Sequence, residues 1–539
     1  MDRVELYDTT LRDGTQAEGI SVSVDDKLAI TLRLDQLGVS FIEGGYAGAN
    51  PKDDEFFRRA RKLELKNATL TAFGNTRRAG GDCESDASMR ALLEAGTPVV
   101  TIVGKASELH VRKVLETSLE ENLAMITDSI RFLTANGRRV FCDAEHFFDG
   151  YALNPEYAVQ AVNAAVEAGA ECVILCDTNG GTLPEQAAEA VRAVKAATRA
   201  RLGIHAHNDS DAAVAVSLAA LQAGATQVQG TINGYGERCG NANLVSIIAN
   251  LQLKMNVKCV SDEQIRSLTE LSRFVAEVVN LPPHAYQPYV GSNAFSHKGG
   301  LHAAAVEKLA ESYQHVPPDV VGNRNALVVS ELAGRSTILQ QVEELGLGGE
   351  ITRDDARNIV NHVKAQEARG FAYERAAASF EVLVRRTLPN YEPPFELVDF
   401  MVIVQSRHPG AGGSSPANGE NLTSEATIKV RVGEHVLHTA AEGNGPVNSL
   451  DNALRKALLQ FFPHLAVVKL TDYKVRVVAD GTGTNAVVRV QIESSDGQHT
   501  WHTVGASGNI IEASWLALAD SMEYWLLQHT ASKGKSPGT

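Results

Sequence analysis

Eight β–α units follow one another over about the first 250 residues, and few architectures accept that count. The candidate strands are VELYD (4–8), VSFIEGG (39–45), ATLTAFG (68–74) and PVVTIVG (98–104). RRVFCDAE (138–145), ECVILCD (171–177), RLGIHAH (201–207) and TQVQGTI (226–232) complete the set. Between them lie stretches such as VDDKLAITLRLDQLG (24–38) and PEYAVQAVNAAVEAGA (155–170), with apolar residues three and four apart. That spacing predicts amphipathic helices, and the short β-branched runs predict strands. Eight such units at this length predict an α/β fold, a closed (β/α)8 TIM barrel over residues 1–260. An open doubly wound sheet would need a switch point and fewer strands.

Beyond Leu253 the pattern changes. Residues 261–400 read as helical linker subdomains, with a turn-rich insert at LPPHAYQPYVGSNAFSHKGGLH (281–302). The Gly, Ser, Asn and Pro content of 407–425 marks a long loop. Residues 401–530 hold an internal repeat. IKVRVGEHVLHTAAEGNGPVNSLDNALRKAL (428–458) is echoed by VVRVQIESSDGQHTWHTVGASGNIIEASWLALADSM (487–522), with Thr439 answering Thr503 and Asn448 answering Glu512. This predicts a C-terminal α+β domain of two β-β-α units. Each turn offers backbone amides near a helix N-terminus, where a carboxylate can bind; a pure packing or dimerisation domain is the competing reading. Residues 531–539 read as a disordered tail.

Composition limits the partners. A net charge of −15 is poorly suited to nonspecific nucleic-acid binding. It leaves room for a small anionic substrate, because a local basic pocket can sit in an acidic chain. The six cysteines are scattered, so neither a disulfide framework nor a cysteine zinc site is expected. No stretch has the length of an apolar membrane span, and MDRVELYDTT is not a secretory start. A cytoplasmic location is the expectation.

In a barrel the C-terminal strand ends converge on one mouth. His205 and His207 stand two apart on the seventh strand, so both face one side. Two imidazoles with a carboxylate suit a divalent metal, and Asp13 is the natural third ligand; two hydrogen-bonded histidines in a polar mouth are the alternative. Arg12 suits a bidentate clamp on a carboxylate or keto oxygen, or a plain salt bridge to Glu43 or Glu145. Thr178 can donate to the same anion. Glu145 can orient water, move a proton or pair with Arg12. His302 lies outside the barrel segment, either as a base completing the site on closure or as a surface histidine. The turn GYGERCGN (234–241) is neither a dinucleotide fingerprint nor a P-loop.

The combination LRDGTQAEG (11–19), HAHND (205–209), GYGERCGN (234–241) and NAFSHKGGLHAAAV (293–306) resembles the acyl-CoA-dependent Claisen-condensing branch of the DRE-TIM metallolyases, the 2-isopropylmalate synthase / homocitrate synthase family. With the two-unit C-terminal domain, the likeness covers residues 1–525. It implies metal ligation by Asp13, His205 and His207, with Asn241 as an additional ligand. It further implies a divalent metal (Mn2+, Mg2+ or Zn2+), acetyl-CoA as co-substrate, a keto-acid clamp of Arg12 and Thr178, an active-site Glu145, and acid–base chemistry at His302. Lys298 and Arg324 are the candidates for the CoA phosphates. The stretches IEGGYAGANPKDDEFF (42–57) and FSHKGGLH (295–302) point to pyruvate as acceptor, 2-ketoisovalerate being the alternative. His302 is followed by Ala303–Ala304 where the family usually carries an aspartate. An acyltransferase, a homodimer and isoleucine feedback at the C-terminal domain follow from the same likeness. A catalytically silent barrel serving as a binding module is the competing class.

Overall fold

The computed structural model describes residues 4–297, 302, 305–306, 308–324, 326–327, 342–343, 345, 352–373, 376–388, 391–406, 422–478 and 486–530. Lys298, most of the expected loop at 407–425 and the expected tail at 531–539 lie outside them. The described chain forms two compact units, Met1–Ser296 with Gln314–Ala326, and His297–Tyr313 with Leu327–Thr539.

In the first unit, eight parallel strands close into a barrel in sequence order. They are β1 (Glu5–Asp8), β2 (Phe41–Tyr46), β3 (Thr69–Asn75), β4 (Val99–Lys105), β5 (Arg139–Glu145), β6 (Cys172–Asp177), β7 (Leu202–Ala206) and β8 (Gln227–Gly230). β1 closes the ring against β8, with Glu5 opposite Gln227 and Asp8 opposite Gly230. Local signals set the helix between β1 and β2. Ser23 and Asp26 form a reciprocal capping box, and Gly38 ends the helix at φ 92°, a left-handed conformation that glycine adopts without a side-chain penalty.

Side chains alternate across each strand, so one set packs outward against the helices and the other fills the barrel. The inner set includes Tyr7, Phe41, Val99, Phe141, Cys172 and Ile174. Phe41 and Phe141 meet edge to face at 4.9 Å, an arrangement aromatic quadrupoles favour. Above this plug the interior turns polar. The buried Tyr7 hydroxyl donates to Glu43 Oε2 at 2.7 Å and lies 2.9 and 2.7 Å from the hydroxyls of Thr71 and Thr101. The mouth is thus built on a hydrogen-bonded floor.

In the second unit, two three-stranded antiparallel sheets are each followed by a helix. The first comprises Glu396–Ser406, Leu422–Val432 and His435–Gly443, then helix Pro446–Leu458; the second Lys469–Val477, Val488–Ser495 and Thr500–Ser507, then helix Ile510–Thr530. Each unit therefore carries a leading strand in addition to the β-β-α expected. The repeat is physical. Thr439 Oγ1 donates to the Ala453 carbonyl at 2.8 Å, and Thr503 Oγ1 donates to the Ala517 carbonyl at 2.8 Å, donors and acceptors both 64 residues apart. Each bond ties a sheet to its own helix.

All six cysteines are free. Among the described residues no helix is long and apolar enough to cross a membrane.

Candidate active site

The turn after β1 is folded by a buried carboxylate. Asp8 accepts hydrogen bonds from the Thr10 amide at 2.9 Å and the Thr10 hydroxyl at 2.8 Å. Burial raises its carboxyl to about 7, the Thr10 bonds only partly opposing this. Thr10 Oγ1 in turn accepts from the Ile232 amide beyond β8. The turn is pinned to its neighbour, and the next residues, Arg12 and Asp13, are held over the mouth.

Asp13 meets His205 of β7 and His207 just beyond it. Asp13 Oδ2 lies 3.3 Å from His205 Nε2 and 4.0 Å from His207 Nε2. One ligand atom from each of the three lies within 4.8 Å of the others, and all three residues are buried. His205 Nδ1 is 3.0 Å from Gln229 Oε1, while Gln229 Nε2 donates to Asp143 Oδ1 at 3.1 Å. A carbonyl oxygen only accepts, so His205 carries a proton on Nδ1, and Nε2, on the side of Asp13, is the nitrogen left for a metal. This is the outer-shell arrangement that orients a metal-binding imidazole.

The electrostatics keep Asp13 ionised and His207 neutral. Burial works against the Asp13 carboxylate, but Arg12 and His205 outweigh it and hold the group well below the usual carboxylate range. Burial works against the His205 cation, but the bond to Asp13 outweighs it and the imidazole shifts up. Burial, then His205, drives His207 down to about 3, leaving it neutral as ligation requires. His207 Nδ1 and Asn241 Oδ1 are buried without a hydrogen-bond partner. The two residues face each other across an isolated β-bridge. Asn241 spends its amide on the Tyr235 carbonyl, and Gly236 leaves room for that amide. Two imidazoles, one of them neutral, an ionised carboxylate and the orphan carbonyl oxygen of Asn241 fit a divalent cation.

Arg12 stands beside this cluster. Its Nε donates to Glu43 Oε1 at 2.5 Å, its guanidinium lies 3.9 Å over the Phe73 ring, and Nη1 is 3.7 Å from Asp13. Burial opposes its charge, but Glu43 and Asp13 hold the pKa above its ordinary value. Of the two salt-bridge partners that its sequence position suggested, Glu43 is the one it takes. Thr178 Oγ1 accepts from the His146 amide at 2.9 Å, which leaves its own O–H free to donate into the cavity. That cavity, about 280 Å3, is lined by Arg12, Asp13, Lys105, Glu145, Thr178 and His205 among others. Glu145 pairs there with Lys105.

A second arginine fastens the rim. Arg238, at φ 55°, grips Asp209 with two bonds of 2.8 and 3.0 Å and donates to the Thr178 carbonyl at 2.8 Å. The loops after β6, β7 and β8 are joined through this one side chain.

Comparison with known proteins gives the site its family. The HMGL-like family model matches residues 3–275, the homocitrate synthase post-HMGL domain-like model 289–370, and the LeuA allosteric (dimerisation) domain model 374–526. The (R)-citramalate synthase of Geobacter sulfurreducens is 51% identical over 98% of this chain and 98% of its own length. That of Aquifex aeolicus is 49% identical with the same coverage. The chain belongs to the (R)-citramalate synthase family. A probable 2-isopropylmalate synthase from Methanopyrus kandleri is more distant, 32% identical over 95% of this chain and 96% of its own.

Against the residues that the family resemblance implies, the structure gathers Arg12, Asp13, Glu145, Thr178, His205 and His207 around one cavity and sets Asn241 beside His207. His302 falls in the second unit, exposed, with its ring stacked on Tyr313 at 4.2 Å. Arg324 is exposed in the first unit, where its backbone amide bonds the Asn323 side chain. Sequence reasoning passed over Lys105, Gln229 and the floor formed by Tyr7. Glutamines at alternate positions of TQVQGTI were the available sign for Gln229, since an inward glutamine in a barrel strand must find polar partners.

Proposed function

We propose that the chain condenses acetyl-CoA with pyruvate and water to give (R)-citramalate and CoA, as an acyltransferase of branched-chain amino-acid synthesis in the cytoplasm. The observation that carries this reading is the Asp13–His205–His207 cluster beside Arg12, in a chain about half identical along its length to (R)-citramalate synthases. Asp13, His205 and His207, with Asn241, would hold a divalent cation; when bound, it supplies Lewis acidity at the carbonyl and carboxylate oxygens of the keto acid. Arg12 stabilises the negative charge that grows on the former keto oxygen. Thr178 donates to the pyruvate carboxylate. Glu145 and His302 are the groups proposed to move the proton from the acetyl methyl and to serve the later thioester hydrolysis. Arg324 and Lys298 remain the candidates for the CoA phosphates.

The test is release of free thiol from acetyl-CoA with Mn2+, Mg2+ or Zn2+ across a panel of 2-keto acids. Pyruvate is expected to exceed 2-ketoisovalerate by about 100-fold in kcat/KM, the range that extra carbons in a fitted pocket command. Preference for 2-ketoisovalerate, or no release with any keto acid, would overturn the reading.

The C-terminal domain is proposed to bind isoleucine as a feedback inhibitor in a homodimer. A cavity of about 580 Å3 there is lined by Val447, Asn448, Asp451, Val468, Leu470 and Tyr473 among others. Asp451 Oδ2 pairs with Arg455 at 2.8 Å, while Asp451 Oδ1 is buried without a partner. An ammonium group would satisfy that oxygen, and the valines and leucine would take an aliphatic side chain. Asp451→Asn is expected to raise the isoleucine concentration for half-inhibition about tenfold or more and to leave uninhibited turnover unchanged. Inhibition curves with and without the substitution decide this; superimposable curves would remove the cavity from consideration.

A further inference from the structure

We propose that Lys105 is a positioning residue of this reaction, its ammonium holding the Glu145 carboxylate against the wall of the mouth. The inference rests on the function proposed above and adds a residue that the family's recognition motifs do not contain.

Lys105 and Glu145 are the last residues of β4 and β5 and face each other directly in the register of these parallel strands. Both side chains line the cavity and pair with each other. They are largely shielded, with side chains 20% and 26% exposed. Their backbones are fixed as well. The Ala106 amide donates to the Glu145 carbonyl at 3.0 Å, and the buried Asn122 side chain donates to the Lys105 carbonyl at 2.8 Å. The same Asn122 amide reaches the Tyr157 hydroxyl at 2.8 Å. Two strand ends are thus tied into one platform that carries the ion pair.

Charge balance gives the pair its purpose. Asp13, Asp143, Glu145 and Glu237 all line the cavity, and the lining holds two cationic side chains, Arg12 and Lys105. Arg12 is committed to Glu43 and Asp13. Asp143 and Glu145, two apart on β5, project to the same face. Carboxylates crowded in a shielded cavity repel one another unless each has a countercharge. Lys105 is the countercharge available to Glu145. Methionine in its place would keep the length and the packing but leave Glu145 free to turn and to lose its charge.

The experiment uses the full chain with Mn2+ and pyruvate, comparing Lys105→Met, Lys105→Arg, Glu145→Gln and the Lys105→Met/Glu145→Gln double variant. Lys105→Met is expected to lower kcat about 30-fold or more, with pyruvate KM and calorimetric Mn2+ affinity within about threefold. Lys105→Arg, which keeps the charge, should recover most of that loss. In the double variant the losses should not multiply, so that it turns over within about threefold of Glu145→Gln alone, the mark of two groups acting as one. The proposal is overturned if Lys105→Met retains turnover within about threefold of the parent, if it loses Mn2+ binding, or if the two losses multiply. A parent enzyme that releases no CoA with pyruvate would instead bring down the assigned reaction, and that result is seen before any variant is made.

Discussion

Replacing His205 with alanine is expected to abolish metal-dependent CoA release, lowering it by more than about 1000-fold, and to weaken Mn2+ binding by more than about 100-fold. Loss of an outer-shell partner alone costs about 10–100-fold in metal affinity, and His205 is proposed for the inner shell. Its Nε2 faces Asp13 at 3.3 Å, and its Nδ1 is anchored by Gln229. Alanine removes the ligand and also strands Gln229 and the buried Asp13. Calorimetry with Mn2+ and a thiol assay on the same preparation measure both effects, and circular dichroism reports the fold. Alanine in a polar mouth does not disturb the barrel's apolar layers, so the spectrum should be retained. A His205→Ala enzyme with normal Mn2+ affinity would remove the cluster from the chemistry.

Arg12→Lys is the second large effect expected. The charge is conserved, yet kcat/KM should fall about 100- to 1000-fold, or about 3–4 kcal/mol, the cost of losing one preorganised donor to a developing oxyanion. Arginine is needed because three surfaces of the guanidinium are used at once: Nε on Glu43, the flat face over Phe73, and Nη1 toward Asp13 and the cavity. An ammonium is a compact charge without a fork or a stacking face. It can pair with Glu43 or reach the substrate, but not both. The loss should appear in kcat as well as in pyruvate KM, because the group acts on charge that grows during the reaction. A lysine enzyme within tenfold of the parent would show that Arg12 serves only as a point charge.

The barrel was legible because its signal is repetitive. Each of the eight strands lies within two residues of the run that predicts it, and the closure of β1 on β8 follows from the count. The Asp13–His205–His207 cluster was legible because HAH at the end of one strand puts both imidazoles on one side, and because Asp13 lies in the turn after the first strand. What escaped was local and polar. Lys105 was missed because the fourth run was ended at Gly104, and a lysine at a strand end reads as solvated until its neighbour is known. Gln229 was missed because only the folded barrel places it between His205 and Asp143. Glu43 was named as one of two partners for Arg12, and only the register of β1 on β2 decides between them. The leading strands of the C-terminal sheets were missed for a different reason. ELVDFMVIVQS reads almost continuously apolar at its centre, a pattern that does not separate strand from buried helix, and KLTDYKVRV fell between the two halves of the aligned repeat.

The grip of Arg238 has a consequence for traffic through the mouth. By fastening Asp209 and the Thr178 carbonyl to the turn that leads to Asn241, it makes one half of the rim a single rigid arc. Widening that half would require three charge-assisted bonds to part together. Across the mouth, Lys105 at the end of β4 pairs with Glu145 at the end of β5, so two neighbouring strand ends there are held by a single ion pair. The fastened arc is therefore the fixed jamb of the doorway, the side that holds its shape while substrate passes.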